Sequence, residues 1–389
     1  MERKLKITMI VLMMAVLALP ILNLTVLPIK QSKLAGVESS GSQALSLAGF
    51  FSGQLQAWVE NRFQRASGIL GYLVKTDNQL DYFLFKQISS NRRAKVILGN
   101  DDQLIERAYL PSANKSRPVK HQAIGEATAA LAELQARLKT RNIELLVIVS
   151  PSKPNYYPQA LPSWYRVAGA ETRQGGGDYF LEELSRAGVN FIDAQRVLKA
   201  AEGSEFPYPM FSNTGTHWSQ LGGCLAAAEI TKRIGELLKR TVPKIECQVD
   251  GMRDLPVAQD ADLLRLANLW FPHLLKRPAP RVSSKRVEAE GAFFPRITMI
   301  GSSFCWELLR HIDRNHVFRS RDFLYYFRRR FDGNKQDRRG VSIDQEKFDF
   351  EKELADQDLV LIEINFSAPQ HVGFGFVQAA NQKLQMLGK

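Results

Sequence analysis

Three short apolar runs of strand length, far apart in the chain, constrain its fold most. They cover residues 144–149, 297–300 and 359–364, and each is almost unbroken by polar side chains. A strand with one wet face alternates polar and apolar residues. A continuous run is buried on both faces, as in a parallel sheet covered by helices. Residues 189–193 read as a further strand, and residues 95–99 as a short strand ending in a turn. Between them, residues 122–139, 178–187 and 218–239 carry helical spacing. Strands alternating with helices predict an α/β fold, a three-layer parallel sheet. Residues 241–293, mixed and proline-containing, read as an insertion.

The lead-in differs. Residues 7–29 are uncharged behind Arg3, Lys4 and Lys6. Roughly 20 apolar residues cross a bilayer as a helix, and the run exceeds the apolar core of a cleaved signal peptide. Residues 1–30 are therefore expected to be an uncleaved signal-anchor, a transmembrane helix with its basic head in the cytoplasm and the rest of the chain exported. Residues 31–94 read as a linker and helical lead-in, with helices over 44–66 and 69–86, and 95–389 as the main domain. The net charge of +12, outside the cytoplasm, points to an anionic polymer or a membrane surface rather than to nucleic acid. Cys224, Cys247 and Cys305 are too few for a disulfide scaffold or a zinc cluster. Cys224 and Cys247 are free to form one bridge in an oxidising compartment. With no HExxH, P-loop or GxGxxG, no metal or nucleotide cofactor is expected.

Two segments look like chemistry. Gly301-Ser302-Ser303 follows the apolar run 297–300 and precedes a helix. A serine in such a turn exposes its hydroxyl, and the backbone N–H groups of Ser302 and Ser303 are the candidate oxyanion donors. Gly215-Thr216-His217-Trp218 places a histidine just before another helix. Serine and histidine are the nucleophile and base of acyl transfer. The acid that would orient the histidine is open: Asp193, Glu363 and Asp313 are candidates. Ligands of open parallel sheets bind beyond the carboxyl ends of the strands. The candidate substrate-binding residues are Lys153, Tyr157, Trp218, Asn365, Arg310 and Arg314. Residues 310–339 form an arginine-rich tract interleaved with aromatic residues, suited to anionic glycans or phosphate groups.

In their order along the chain, Val96-Ile97-Leu98-Gly99, Ser150-Pro151-Ser152-Lys153 with Tyr157-Pro158, Thr216-His217-Trp218-Ser219, Gly301-Ser302-Ser303-Phe304 and Glu363-Ile364-Asn365 with Gly373-Phe374-Gly375-Phe376 resemble the alginate O-acetyltransferases of the AlgX/AlgJ type. That resemblance implies an SGNH-hydrolase-like domain in permuted order, His before Ser. It implies a periplasmic enzyme held at the inner membrane, acetylating an exported polysaccharide. Its implied partner is a multi-span membrane O-acyltransferase that supplies acetyl. Ser303 would be acylated and His217 would be its base. In that family an aspartate normally stands two residues before the histidine, where this chain has Gly215. A glycan-binding protein without turnover and a glycan acetylesterase are the alternative readings.

Overall fold

The computed structural model describes residues 2–25, 30, 32–36, 47–56, 58, 68–89, 94–333 and 339–386. The chain divides into two compact units, Met1–Leu98 with Leu263–Leu274, and Gly99–Asp262 with Leu275–Lys389.

In the first unit the N-terminal run forms a helix, α1 (Glu2–Thr25), with Leu5, Ile7, Met9 and Ile10 exposed. Among the described residues no helix is long and apolar enough to cross a membrane, so the expected anchor over 1–30 is not supported by the structure. Near the end of α1, Asn23 is buried and accepts the Gly68 N–H at 2.7 Å. Of the helix expected over 44–66, Leu47–Phe51 is helical, and residues 44–46, 57 and 59–66 lie outside the described residues. The next helix, α2 (Leu70–Phe85), matches its expected span. It holds the segment 263–274 through Asn78, which donates to Ala267 O at 2.9 Å, and Gln79, which accepts the Phe271 N–H at 3.0 Å.

The second unit contains, in order, α3 (His121–Lys139), β1 (Glu144–Ser150), α4 (Gly176–Arg186), β2 (Phe191–Asp193), α5 (Ala194–Ala201), α6 (Gln220–Leu238), β3 (Lys244–Arg253), β4 (Ala279–Val287), β5 (Arg296–Gly301), α7 (Cys305–Asn315), β6 (Ser320–Tyr325), β7 (Arg329–Asp332), β8 (Val341–Ser342), β9 (Leu359–Asn365) and α8 (Phe376–Met386). The main sheet runs β8-β7-β6-β5-β9-β1-β2. From β6 to β2 it is parallel; β7 and β8 add antiparallel pairs at one edge. The sheet is therefore mixed rather than parallel throughout. Strands β6 and β7 lie in the arginine-rich tract, whose residues 334–338 lie outside the described residues, and β8 follows it. Charged side chains suit an edge, where one face meets water.

The unbroken runs are explained by two cores. Leu146, Ile148, Ile297, Met299 and Leu361 face one side, with α6 and α7. Leu145, Val147, Val149, Ile300, Val360, Ile362 and Ile364 face the other, with α3, α4 and α8. Each fully buried Leu, Ile or Val contributes about 1.5–3 kcal/mol. Helix α6 begins at Ser219, whose Oγ accepts the Gly222 N–H at 3.2 Å, a cap worth about 1 kcal/mol. Residues 241–293, read as an insertion, contain regular structure. Strands β3 and β4 pair antiparallel there, with Ile245 and Val282 in the first core. Cys224 of α6 and Cys247 of β3 form a disulfide.

Candidate active site

The turn that carries Ser303, the candidate nucleophile, lies at the carboxyl end of β5. Gly301 is required by space: a Cβ there would collide with Cys305 Sγ and stand 2.9 Å from Glu363 Cβ. Ser303 is half-buried, and its Oγ lies 2.7 Å from His217 Nε2. His217 is 7% exposed. The two loops are joined by Trp218, fully buried, whose Nε1–H donates to Phe304 O at 3.0 Å. The Phe304 ring packs 4.7 Å from the imidazole and 5.6 Å from the indole.

The carboxylate that stands against His217 is a residue that the motif reading missed. Asp262, at the start of the short helix Asp262–Leu266, places Oδ2 2.6 Å from His217 Nδ1. Its Oδ1 accepts the Thr216 N–H at 2.8 Å. One carboxylate thus holds both the ring and the peptide before it, and keeps the proton on Nδ1 so that Nε2 is free to accept one. The chain running up to Asp262 also accounts for Gly215. A Cβ at 215 would stand 2.5 Å from Gln259 O and 3.2 Å from Asp260 Cα. The space for an aspartate two residues before His217 is filled by the backbone that delivers Asp262. An acid arriving 45 residues downstream leaves no local signal in the sequence.

The three acids expected from the sequence stand elsewhere. Asp193 caps α5, its Oδ1 accepting the Arg196 N–H at 3.2 Å. Asp313 pairs with Arg321. Glu363 is fully buried beneath the nucleophile turn. Its Oε2 accepts the Ser302 N–H at 2.7 Å, and its Oε1 accepts the Ser150 hydroxyl. Ser302 therefore cannot serve as an oxyanion donor as expected. Phe304 N–H is engaged with Ser302 Oγ at 3.3 Å. Among the described residues, the turn's one amide without a partner is that of Ser303.

Several expected substrate contacts are structural. Lys153 is 1% exposed, and its Nζ donates to the carbonyls of Leu104, Ser212, Asn213 and Gly215 at 2.7–3.2 Å. Burial brings its pKa down to about 7, against a smaller opposing effect from Asp262. Trp218 is in the core. Tyr157 donates its hydroxyl to Glu202 and accepts the Met210 N–H at 3.0 Å. It lines a cavity of about 510 Å³ with Glu202 and Tyr208. Arg310 is tied to Glu307 at 2.8 Å. Arg314 is exposed on the last turn of α7. Asn365 ends β9 at the sheet's carboxyl edge, its Nδ2 donating to Ser150 Oγ at 3.4 Å.

Two further groups border the site. Burial, then the charges of Glu106, Tyr326, Glu363 and Asp262, hold the Tyr109 phenol well above its ordinary value. The β6–β7 turn joins the nucleophile turn through Tyr326 N–H, which donates to Gly301 O at 2.9 Å. Tyr326 and Phe327 both have φ of +51°, a conformation that costs about 1–3 kcal/mol each for such side chains and is retained mainly near functional sites. Arg328 and Arg329 follow, exposed and without ion pairs among the described residues. Arg321 and Arg330 of the same tract are paired with Asp313, and with Asp322 and Glu353. Cys305 is buried, its thiol pushed up by burial and by Glu363. Among the described residues, no group of three or more His, Cys, Asp or Glu is arranged to hold a metal.

Residues 96–311 match the family model described as SGNH hydrolase-like domain, acetyltransferase AlgX. The chain is 26% identical over 164 residues to the probable alginate O-acetylase AlgJ of Pseudomonas aeruginosa, covering 42% of this chain and 37% of that protein. The match thus spans little more than a third of that relative's length. Among solved structures, the O-acetyltransferase domain of Pseudomonas putida AlgJ aligns at 14% identity and a TM-score of 0.49, over 75% of this chain and 100% of that one. Bacillus cereus PatB1 aligns at 16% and 0.44, over 70% and 96%.

Proposed function

The chain belongs to the family of SGNH hydrolase-like domains described for the acetyltransferase AlgX, and from that premise we propose that it is an extracytoplasmic O-acetyltransferase acting on an exported polysaccharide. The observation that carries this reading is the hydrogen-bonded line from Asp262 through His217 to Ser303. Ser303 Oγ attacks the carbonyl carbon of an acetyl ester while His217 Nε2 takes its proton. The Ser303 N–H stabilises the oxyanion. The bond to the donor oxygen breaks, His217 returns the proton to that leaving group, and Ser303 is left acetylated. A sugar hydroxyl then attacks the acetyl carbon as His217 removes its proton, and the new ester leaves as Ser303 is restored. Asp262 holds the imidazole in one tautomer throughout and stabilises its protonated form.

The net charge of +12 and the exposed Arg328 and Arg329 beside the nucleophile turn support an anionic acceptor chain. The acetyl donor would be a multi-span membrane O-acyltransferase. The disulfide supports an oxidising compartment such as the periplasm. The uncharged run 7–29 would hold the protein at the membrane, a point checked by extraction of membranes with alkaline carbonate. Gly215 and the arginines favour a non-catalytic glycan binder, whereas Asp262 beside His217 supports the catalytic reading over it.

The test is incubation with an activated acetyl ester, followed by peptide mapping. An acetyl group on Ser303 is expected, absent in Ser303→Ala and strongly reduced in His217→Ala. A protein that never acetylates Ser303 and turns over no ester refutes the reading.

A further inference from the structure

One buried ionisable group beneath the site has no part in these steps. Glu363 is 0% exposed in β9, on the side that Leu361 shares with Ile297, Met299 and Leu308. An acidic side chain in such an apolar layer is strongly disfavoured unless its oxygens are satisfied. Burial raises its pKa, and hydrogen bonds from Ser150 and Ser302 oppose that rise. Its bonds converge on the nucleophile turn. Oε2 takes the Ser302 N–H at 2.7 Å and lies 3.9 Å from Cys305 Sγ. Oε1 takes the Ser150 hydroxyl from the neighbouring strand β1. Gly301 leaves the room for it, since a Cβ there would stand 2.9 Å from Glu363 Cβ and 3.1 Å from Oε2.

The geometry points to Glu363 as the positioning residue of the nucleophile turn: by holding the Ser302 peptide it aims the Ser303 hydroxyl at His217 and the Ser303 amide outward. The inference rests on the reading of Ser303 as nucleophile. It follows from the hydrogen-bond inventory of the turn. With Ser302 N–H given to Glu363 and Phe304 N–H given to Ser302 Oγ, Ser303 N–H is what remains for an oxyanion. A turn free to rotate its Ser302 peptide would lose that direction.

The experiment is steady-state hydrolysis of p-nitrophenyl acetate by the full chain, with melting temperatures recorded for each variant. Glu363→Gln keeps an acceptor for the Ser302 N–H and is expected within about fivefold of the wild-type kcat. Glu363→Leu has similar volume and no acceptor. It is expected to lose on the order of a hundredfold in kcat with KM within about twofold, since the loss lies in the transition state. A folded Glu363→Leu with wild-type kcat overturns the inference. So does a Glu363→Gln as impaired as Glu363→Leu. Should Glu363→Leu fail to fold, Glu363→Asp decides: one methylene shorter, it is expected to lower kcat without raising KM, and an unchanged kcat overturns the inference. A wild-type protein that turns over no ester counts instead against the acyl-transfer reading. Crystal structures of wild type and Glu363→Gln or Glu363→Leu then judge positioning alone: a reoriented Ser302 peptide in the leucine variant supports it and an unmoved one overturns it.

Discussion

The nucleophile turn and the base loop are both pinned by one buried charged-type side chain, of opposite kinds. Beneath the turn, Glu363 accepts from N–H and O–H donors. Beneath the base loop, Lys153 donates to four backbone carbonyls, three of them at Ser212, Asn213 and Gly215. The difference follows from the backbone each must hold. A tight strand-to-helix turn presents amides, so it is held by an acceptor. An extended loop folded back on itself presents carbonyls, so it is held by a donor. Both depend on distant residues: Glu363 reaches Ser302 across 61 residues, and Asp262 reaches His217 across 45.

The largest effects test that contrast at the reacting groups. Ser303→Ala should abolish covalent acetylation. Asp262→Asn, measured by kcat for ester turnover, should fall about 10⁴-fold, as expected when the tautomer is lost. Adding Gly215→Asp to Asp262→Ala should not restore activity, because a Cβ at 215 meets Gln259 O at 2.5 Å. A rescued double variant would mean that the loop is more pliable than the turn it is compared with.

Next in size is Lys153→Met, which strands four carbonyls and should cost about 3–5 kcal/mol in urea unfolding. It also has a pH signature. The folded pKa is lowered from 10.5 to about 7. Between those values the unfolded chain holds a proton that the folded chain lacks, so stability rises with pH across that window. Below about pH 7 both states are protonated and the contribution to the slope vanishes. The wild-type-minus-variant difference in unfolding free energy should therefore grow from pH 7 toward pH 10. A flat difference would remove Lys153 from the account of the loop.

Replacing Cys224 and Cys247 by alanine should cost about 3 kcal/mol, for a closed loop of separation 23. A thermal melt with and without reductant checks it, and kcat measured below the melt should change little, since the bridge joins α6 to β3 rather than either loop. The smallest effect is at the surface. Arg328→Ala with Arg329→Ala should leave stability within about 0.5 kcal/mol. It should raise KM several-fold for an anionic glycan acceptor and leave KM for a small acetyl ester unchanged. Equal changes for both substrates would detach these arginines from acceptor binding.

Much of the fold was readable because burial on both faces writes itself into sequence. The runs over 144–149, 297–300 and 359–364 became β1, β5 and β9, and helical spacing located α3, α4 and α6 within a few residues. Strands β3 and β4 were readable in principle: Ile245, Cys247 and Val249 alternate with Glu246 and Gln248, the period of a half-buried strand. Proline and charge around them hid the pattern. Strands β6 and β7 were masked by their arginines, which balance Asp313, Asp322 and Glu353 by ion pairing rather than forming an unbroken basic face.

What the sequence determined by itself is the alternation of strands and helices, and the turn and loop that carry the two side chains proposed to react, because strand burial and the strand-turn-helix geometry at Gly301 are local constraints. Tertiary structure alone decided which carboxylate reaches His217. It also decided that Lys153 and Trp218 are held inside rather than offered to substrate, and which amide of the turn is left free. Those outcomes depend on hydrogen bonds between loops 45 to 86 residues apart. Such bonds form only where the packed sheet brings the loops together, and no local pattern of residue types encodes them.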